Sequence, residues 1–325
     1  MTSSKRYNRL SAACIAAAIC SAAAGFFVLS PNEASGCEIE NGYLALSVQD
    51  DSQDSAYGGF MLSENGTQPK DTLTYSQFYS SFACVNINGE AMRFGDGKTV
   101  KAPYTTEDGS VVAVQDFNGV EVTQHLSFAE GNTDKKDMLK IHYTAENKSG
   151  SEALVSVSVI IDPTIADSET DVIQTGAKAF GSEITFSGSD IPETWCIRNA
   201  EGDISAYGIT SDGSSAPDMF QAADWENLYN NRAGYTTTNS AIEDNAVSLT
   251  WSNRKLADGA KLECGTKYGL YSKDKDAPAS PSKNNSNKTS SPKTGDNIGY
   301  VFAGLTLSFA AAAVFCKKKG AESDE

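Results

Sequence analysis

Three segments decide the fold: VEVTQHLSF at residues 120–128, LKIHYTAE at 139–146 and ALVSVSVII at 153–161. Apolar side chains occupy every second position of each segment, and Gln124 is the one interruption in the first. A period of two residues is typical of strands that bury one face in an antiparallel sheet. These segments therefore predict an all-β fold, and we expect the first two to form a hairpin through a loop at 131–137.

Turn signals and further strand patterns extend this prediction outward in both directions. Alternating apolar residues at 247–251 indicate a late strand, those at 268–271 indicate a closing strand, and residues 220–229 read as one short helix. Many short strands over residues 37–272 favour one large antiparallel β-sandwich over a small closed barrel. The turn dipeptides are Asn65-Gly66, Asn88-Gly89, Asp108-Gly109, Asn118-Gly119, Asp212-Gly213 and Asp258-Gly259.

Charge excludes several kinds of partner. The 325 residues include 26 Lys and Arg against 42 Asp and Glu, and residues 37–294 hold 20 of these bases and 37 of the acids, a net charge of −17. A nucleic-acid binder that relies on phosphate contacts needs a basic face, so this class is excluded. The same sign argues against attachment to anionic lipids.

The N-terminus has the layout of a secretory signal peptide. Three basic residues within 5–9 precede an uncharged apolar run at 10–29 and a turn-prone stretch at 30–36. We expect residues 1–36 to form a signal helix with its cleavage region, so that the mature chain starts at Cys37. Three alternatives stay open: an earlier cleavage near Ala22 and Ala24, an uncleaved membrane anchor, and lipidation of Cys37.

The C-terminus combines a pentapeptide, an apolar span at 298–316 and three lysines at 317–319. The apolar span has the length of one membrane helix, and the lysines match a stop signal on the cytoplasmic side. In this order the three elements resemble the cell-wall sorting signal of Gram-positive surface proteins, Leu-Pro-x-Thr-Gly. The pentapeptide here is Ser291, Pro292, Lys293, Thr294 and Gly295, which departs from the family pattern at its first residue.

The sorting resemblance implies two partners, a sortase and peptidoglycan. The sortase would cleave after Thr294 and join that residue to a wall amine, and the departure at Ser291 concerns which sortase acts. A plain tail anchor is the alternative. Residues 273–290 are small, polar or charged and predict a disordered linker between the sandwich and the sorting signal at 291–325.

Four stretches of the sandwich region resemble an uncharacterised β-rich domain of clostridial-type surface proteins, and the architecture is similar to sandwiches of the galactose-mutarotase type. The resemblance implies a surface module and transfers no catalytic residue. We expect a binding or adhesion module for a neutral glycan or a host ligand, with a wall-attached hydrolase or epimerase-like enzyme as the alternative and a structural surface-layer role third. The stretches are Asn41-Gly42-Tyr43-Leu44, residues 186–192, 224–229 and 247–251.

Side chains that could form a site are few. Trp225, Tyr229 and Trp195 are candidates for an aromatic platform that stacks on sugar rings. Motifs for serine or zinc hydrolases, P-loops and dinucleotide turns are absent from the sequence. An oxygen-rich loop could hold Ca²⁺, and its acids are Asp162, Asp167, Glu169 and Asp171.

The two histidines and four cysteines complete the candidates. His125 and His142 fall on the polar faces of the predicted hairpin, where cross-strand imidazoles could bind a transition metal or be solvated surface groups. The cysteine spacings disfavour zinc. A disulfide between Cys37 and Cys264 would link the first strand to the last, and free buried thiols are the alternative.

Overall fold

The computed structural model describes residues 37–65, 72–165, 172–176, 178–198, 204–231 and 234–271. The predicted signal peptide, linker and sorting signal lie outside these residues. None of the helices within the described residues has the length and apolar character that crossing a bilayer requires.

Eighteen strands and one short α-helix make up the described chain, which confirms the all-β prediction. The strands are β1 Cys37–Glu40, β2 Leu44–Val48, β3 Phe60–Glu64, β4 Phe82–Ile87, β5 Glu90–Arg93, β6 Lys98–Thr105, β7 Val111–Phe117, β8 Val120–Ala129, β9 Met138–Asn147, β10 Ala153–Ile161, β11 Val172–Thr175, β12 Lys178–Phe180, β13 Ile184–Ser187, β14 Thr194–Arg198, β15 Ile204–Ile209, β16 Met219–Asp224, β17 Asn245–Leu256 and β18 Lys261–Leu270. Helix α1 spans Trp225–Asn231, and a 3₁₀ turn spans Gly188–Asp190.

Two large sheets form the sandwich. The first has nine strands in the order β12-β11-β14-β15-β18-β9-β8-β7-β6, and the second has six in the order β13-β16-β17-β10-β4-β5. Strands β1, β2 and β3 form a small third sheet. One continuous core contains Val122 and Tyr143 from the nine-stranded sheet and Val157 and Leu249 from the six-stranded sheet. The core therefore lies between the two large sheets, as the alternating segments predict.

The predicted hairpin is present, with β8 and β9 antiparallel along their whole length. Gln124, which interrupts the apolar face, is buried there, and its amide donates to the Gly58 carbonyl at 2.9 Å and to the Tyr143 hydroxyl oxygen at 2.7 Å. Asn118 and Gly119 both adopt positive φ, 54° and 88°, which fits a tight two-residue turn between β7 and β8. The turn residues and the apolar period thus fix the same register.

The six-stranded sheet differs from the expected half-buried pattern. Strand β10 is buried along both faces, and Ser158 is satisfied inside the sheet by the Thr250 hydroxyl at 2.8 Å. A second apolar cluster covers the other face of this sheet, where Ile160 packs with Trp225 and Leu228 of α1. Helix α1 therefore closes the outside of the six-stranded sheet.

The predicted helix at 220–229 is correct in its second half only. Residues 219–224 form strand β16, because they pair with β17 on one side and β13 on the other. The Asp224 carboxylate then accepts a hydrogen bond from the Glu226 backbone N–H at 3.1 Å, so Asp224 caps the helix that begins at Trp225. Sheet pairing outweighed the helical pattern up to that cap.

Candidate functional site

The two histidines lie side by side on the outer face of the nine-stranded sheet. His125 of β8 pairs directly with His142 of β9, and both side chains are half-buried. This confirms that they are cross-strand neighbours on the polar face. Opposite residues on one face of an antiparallel pair have Cβ atoms about 4.5–5.5 Å apart, so the two imidazoles share one environment.

A carboxylate from a distant part of the chain completes the arrangement. Asp212 follows β15, and its Oδ2 lies 2.6 Å from His142 Nδ1 and 3.4 Å from Lys140 Nζ. The Asp212 side chain is fully buried, whereas 16% of the His142 side chain is exposed. The result is a buried carboxylate that holds Nδ1 of an imidazole whose side chain stays partly exposed.

Gly265 makes this contact possible. It pairs with His142 across β18 and β9, and its backbone carbonyl accepts a hydrogen bond from Asp212 N at 3.0 Å. A Cβ at this position would lie only 2.4 Å from Asp212 Oδ2. The absence of a side chain at Gly265 therefore leaves the space that the carboxylate occupies between the two strands.

Asp212 is held in its charged form. Burial by itself would raise the pKa of its carboxyl, but hydrogen bonds from His142 and from Ser214 outweigh burial and keep the pKa well below its ordinary value. The Ser214 backbone N–H and hydroxyl donate to Asp212 Oδ1 at 2.9 and 2.5 Å. An ionised carboxylate at this point fixes His142 Nδ1 as a donor, and Nε2 lies 3.5 Å from Thr144 Oγ1.

His125 is kept neutral beside this pair. Burial lowers the pKa of its imidazole, the nearby Asp108 carboxylate partly offsets that effect, and electrostatic interactions with His142 and Lys140 lower the pKa further. A neutral imidazole can donate one hydrogen bond and accept another. The outer face thus presents fixed polar atoms that suit hydroxyl groups, and the His142–Asp212 pair is also able to take up a proton.

The two metal-site hypotheses, the histidine pair and the calcium loop, have different outcomes. Among the described residues, no group of three or more His, Cys, Asp or Glu side chains could hold a metal ion, so the two imidazoles have no third ligand there. Asp162 is almost completely buried, with 1% exposed. Its expected companions in a calcium loop, Asp167, Glu169 and Asp171, lie outside the described residues, and the calcium site stays a prediction.

The expected aromatic platform is wrong for both tryptophans. Trp195 is 1% exposed and stacks inside the core on Tyr268, with ring centroids 5.2 Å apart. Trp225 is 7% exposed, stacks on Tyr229 at 4.6 Å and donates its indole N–H to the Ser80 carbonyl. Neither tryptophan offers a free ring face, because both rings pack against protein. Tyr229, which is half-buried, stays a candidate.

A second buried carboxylate was not predicted from the sequence. Glu183, between β12 and β13, is 1% exposed and accepts hydrogen bonds from the Tyr235 hydroxyl, the Thr238 backbone and hydroxyl, and the Asn227 amide, all within 2.6–2.9 Å. Burial would raise its pKa, yet these donors together lower the pKa to about 2. All of these donors are neutral, so Glu183 acts as a buried anchor for α1 and the segment at 234–241.

The expected disulfide is also wrong. All four described cysteines are free thiols, and three of them are buried. Cys37 Sγ contacts the Thr105 hydroxyl at 3.3 Å, whereas Cys264 Sγ lies in the core, 3.7 Å from the Tyr143 carbonyl. Burial raises the pKa of the Cys264 thiol, which keeps it protonated. The alternative of free buried thiols is the one that the structure contains.

Comparisons with known proteins give a general likeness only. No protein-family model and no curated protein matches the chain. Similar solved structures include a putative aldose 1-epimerase from Escherichia coli K12, with 10% identity over 73% of this chain and 99% of that one and a TM-score of 0.44. A Synechocystis sp. PCC 6803 protein has 7% identity over 77% and 99% of the two chains, also with a TM-score of 0.44.

A galactose mutarotase-like protein from Lactobacillus casei ATCC 334 has 13% identity over 73% of this chain and all of its own length, with a TM-score of 0.37. Identities of 7–13% transfer no residue, so the function below is argued from this chain alone.

Proposed function

We propose that the chain is a surface protein of a Gram-positive bacterium that displays a ligand-binding β-sandwich. The proposed cell-wall localisation is supported by the order of the terminal segments. A signal peptide stands at the N-terminus, and a pentapeptide, an apolar span and a basic tail follow one another at the C-terminus. In this proposal a sortase transfers Thr294 to peptidoglycan. Replacing Thr294 by Ala should shift the protein from the muramidase-released wall fraction to the membrane fraction, and an unchanged distribution would refute the anchoring.

The observation that carries the binding proposal is the buried Asp212 carboxylate that orients His142 on the outer sheet face. Together with the neutral His125 imidazole it gives a set of fixed donors and acceptors. A preorganised polar set suits a ligand rich in hydroxyl groups, because little ordering cost remains at binding. The net charge of −17 over residues 37–294 repels anions at the approach, so the ligand proposed for this face is a neutral glycan.

The same pair favours a second candidate function, that of a wall-attached enzyme acting on carbohydrate. An imidazole fixed by a buried, ionised carboxylate is well placed to accept a proton from a sugar hydroxyl and return it to another atom. This chemistry would serve a hydrolase or an epimerase-like reaction. The specific support for it is the 2.6 Å contact between His142 Nδ1 and Asp212 Oδ2.

One set of variants separates the two functions. The full-length chain would be tested on a neutral glycan array and in parallel for release of reducing sugar and for change of anomeric configuration by polarimetry. Replacing Asp212 by Asn keeps the shape and removes the charge, and Glu121→Gln changes the same outer face without touching the pair. Binding should weaken roughly tenfold in Asp212→Asn and stay unchanged in Glu121→Gln, since a hydrogen bond to a charged group contributes about 1.5 kcal/mol or more.

Turnover decides between the candidates. Activity that falls by about 10²-fold or more in Asp212→Asn but survives in Glu121→Gln would establish the enzyme. Binding that depends on Asp212 without any turnover would establish the binding module. Binding and turnover that are both insensitive to Asp212→Asn would refute this face as the site.

A further inference from the structure

A second, separate surface is built by the turn between β1 and β2 and the loop between β8 and β9. It is an open groove of about 550 Å³. The residues that line it are Asn41, Gly42 and Tyr43 from the turn and Asp134, Lys135 and Lys136 from the loop. None of these residues belongs to the His142–Asp212 pair.

The groove has a rigid frame. The Asn41 side-chain carbonyl accepts the backbone N–H groups of Tyr43 and Leu44, both at 2.8 Å, and its amide donates to the Lys136 carbonyl at 2.8 Å. On the other side, the Asn65 backbone N–H donates to the Tyr43 carbonyl at 2.7 Å. One asparagine thus ties the turn to the loop, so the two walls are already positioned before any ligand arrives, which lowers the cost of binding.

Tyr43 supplies an accessible ring. Within the described part of the chain it is the aromatic residue that counts as exposed, with 39% of its surface accessible, while Trp195 and Trp225 are buried. An exposed tyrosine ring on a turn whose backbone is held in place provides a flat apolar face with a polar hydroxyl at its edge. This is the stacking surface that the two tryptophans do not offer.

The charges in the groove have the opposite balance to that of the whole chain. Two lysines and one aspartate line it, so its local charge is positive although residues 37–294 carry −17. Exposed charges are screened over about 8 Å at physiological ionic strength. A ligand inside the groove therefore responds mainly to Lys135 and Lys136, and the Asp134 carboxylate can accept hydrogen bonds from hydroxyl groups.

We propose that this groove binds an acidic saccharide, with a sugar ring on Tyr43, a sugar carboxylate at Lys136 and Lys135, and ring hydroxyls on Asp134. The proposal is independent of the neutral-glycan site, because it uses different residues and the opposite ligand charge. It gives the surface module a second ligand class.

The test uses the full-length chain and two matched probes, trigalacturonate and the neutral trisaccharide obtained by reducing its carboxyl groups. Calorimetry or ligand-observed NMR should show tighter binding of the acidic probe, by roughly tenfold. Tyr43→Ala should weaken it by about three- to tenfold, since an aromatic contact contributes about 0.5–1.5 kcal/mol, and Tyr43→Phe should restore it. The double variant Lys135→Gln/Lys136→Gln should remove the preference for the acidic probe.

Two controls keep the outcome decisive. Lys98→Gln/Lys255→Gln removes the same charge from exposed positions that do not line the groove, and this variant should bind like the wild type. Asp212→Asn should leave trigalacturonate binding unchanged even though it weakens binding of a neutral glycan by roughly tenfold. Equal affinity for the two probes, or equal losses in the groove and control double variants, would overturn the proposal, as would retention of the acidic probe by Tyr43→Ala at wild-type affinity.

Discussion

Replacing Glu183 by Gln should destabilise the fold strongly, and the structure gives the size of the effect. The carboxylate is 1% exposed and is surrounded by neutral donors from Tyr235, Thr238 and Asn227. A glutamine can accept with one atom only, and its NH₂ group would face donors in place of a second acceptor. Buried donors left without an acceptor are costly, so the loss should exceed that of an exposed Glu→Gln change.

The pKa shift sets the magnitude. The pKa of Glu183 falls from its ordinary value of 4.5 to about 2, which corresponds to roughly 3 kcal/mol of stabilisation at neutral pH. This contribution is fully present above pH 4.5, where the carboxyl of the unfolded chain is also ionised, and is lost as the pH falls toward 2. For a domain of this size, that is a drop in Tm of about 6–12 °C at pH 7.

The assay is urea unfolding of the full chain at pH 7 and pH 3, with Glu152→Gln as the matched control because Glu152 is exposed. Glu183→Gln should lose roughly 3 kcal/mol at pH 7 relative to the control. At pH 3 the difference should shrink to about half or less, since the carboxyl of the unfolded chain is then mostly protonated and folding has to ionise it. A difference that is absent at pH 7, or equally large at both pH values, would refute this account of the anchor.

Two further predictions test the core. Gly208→Ala should lower the free energy of unfolding by roughly 3 kcal/mol, at the upper end of overpacking, because its Cβ would lie 2.0 Å from the Trp195 ring. Gly181→Ala, which has open space around its Cβ, is the control in the same urea titration. Equal losses in the two variants would contradict the packing argument. A maleimide should modify Cys37 in the native chain. Peptide mapping should show that the buried thiols react only after unfolding. Recovery of a disulfide-linked peptide that contains Cys37 would contradict the free-thiol state. Those thiols are Cys84, Cys196 and Cys264.

Much of the fold could be predicted because its signals are local. Alternation at 120–128 and 139–146 shows directly in the burial of β8 and β9. The pattern was less informative at 153–161, where β10 is buried on both faces and its serines are satisfied inside the sheet. Helix α1 covers that sheet from outside, and coverage by a distant segment leaves no mark on the period of the strand itself.

Only the part of the candidate site that lies within one hairpin could be predicted from the sequence. His125 and His142 follow from the hairpin register, whereas Asp212 reaches His142 across 70 residues of chain. The available signal was Gly265, a glycine within a strand pattern, which often marks a close approach by another group. The sequence does not say which group approaches, because the partner depends on the order of strands β15, β18 and β9 in the sheet.

The two tryptophans also show that burial by distant segments cannot be predicted from the local sequence. Trp195 stacks on Tyr268 across Gly208, which lies between them in the sheet. The missing side chain at Gly208 leaves room for the Trp195 ring, just as the missing side chain at Gly265 leaves room for the Asp212 carboxylate. Both tryptophans were candidates for an exposed aromatic platform, but tertiary packing buries them. The exposed ring belongs to Tyr43, which lies in a turn whose backbone is held by the Asn41 side chain.

The distribution of buried surface also explains why the candidate site lies on the nine-stranded sheet. The six-stranded sheet has its inner face in the core and its outer face under α1 and the cluster around Trp225, which leaves little open surface at its centre. The nine-stranded sheet keeps half-buried polar side chains along the outer faces of β8 and β9. A ligand that needs several fixed polar atoms at once therefore finds them on this face, where cross-strand pairing sets their spacing and a buried carboxylate sets their orientation.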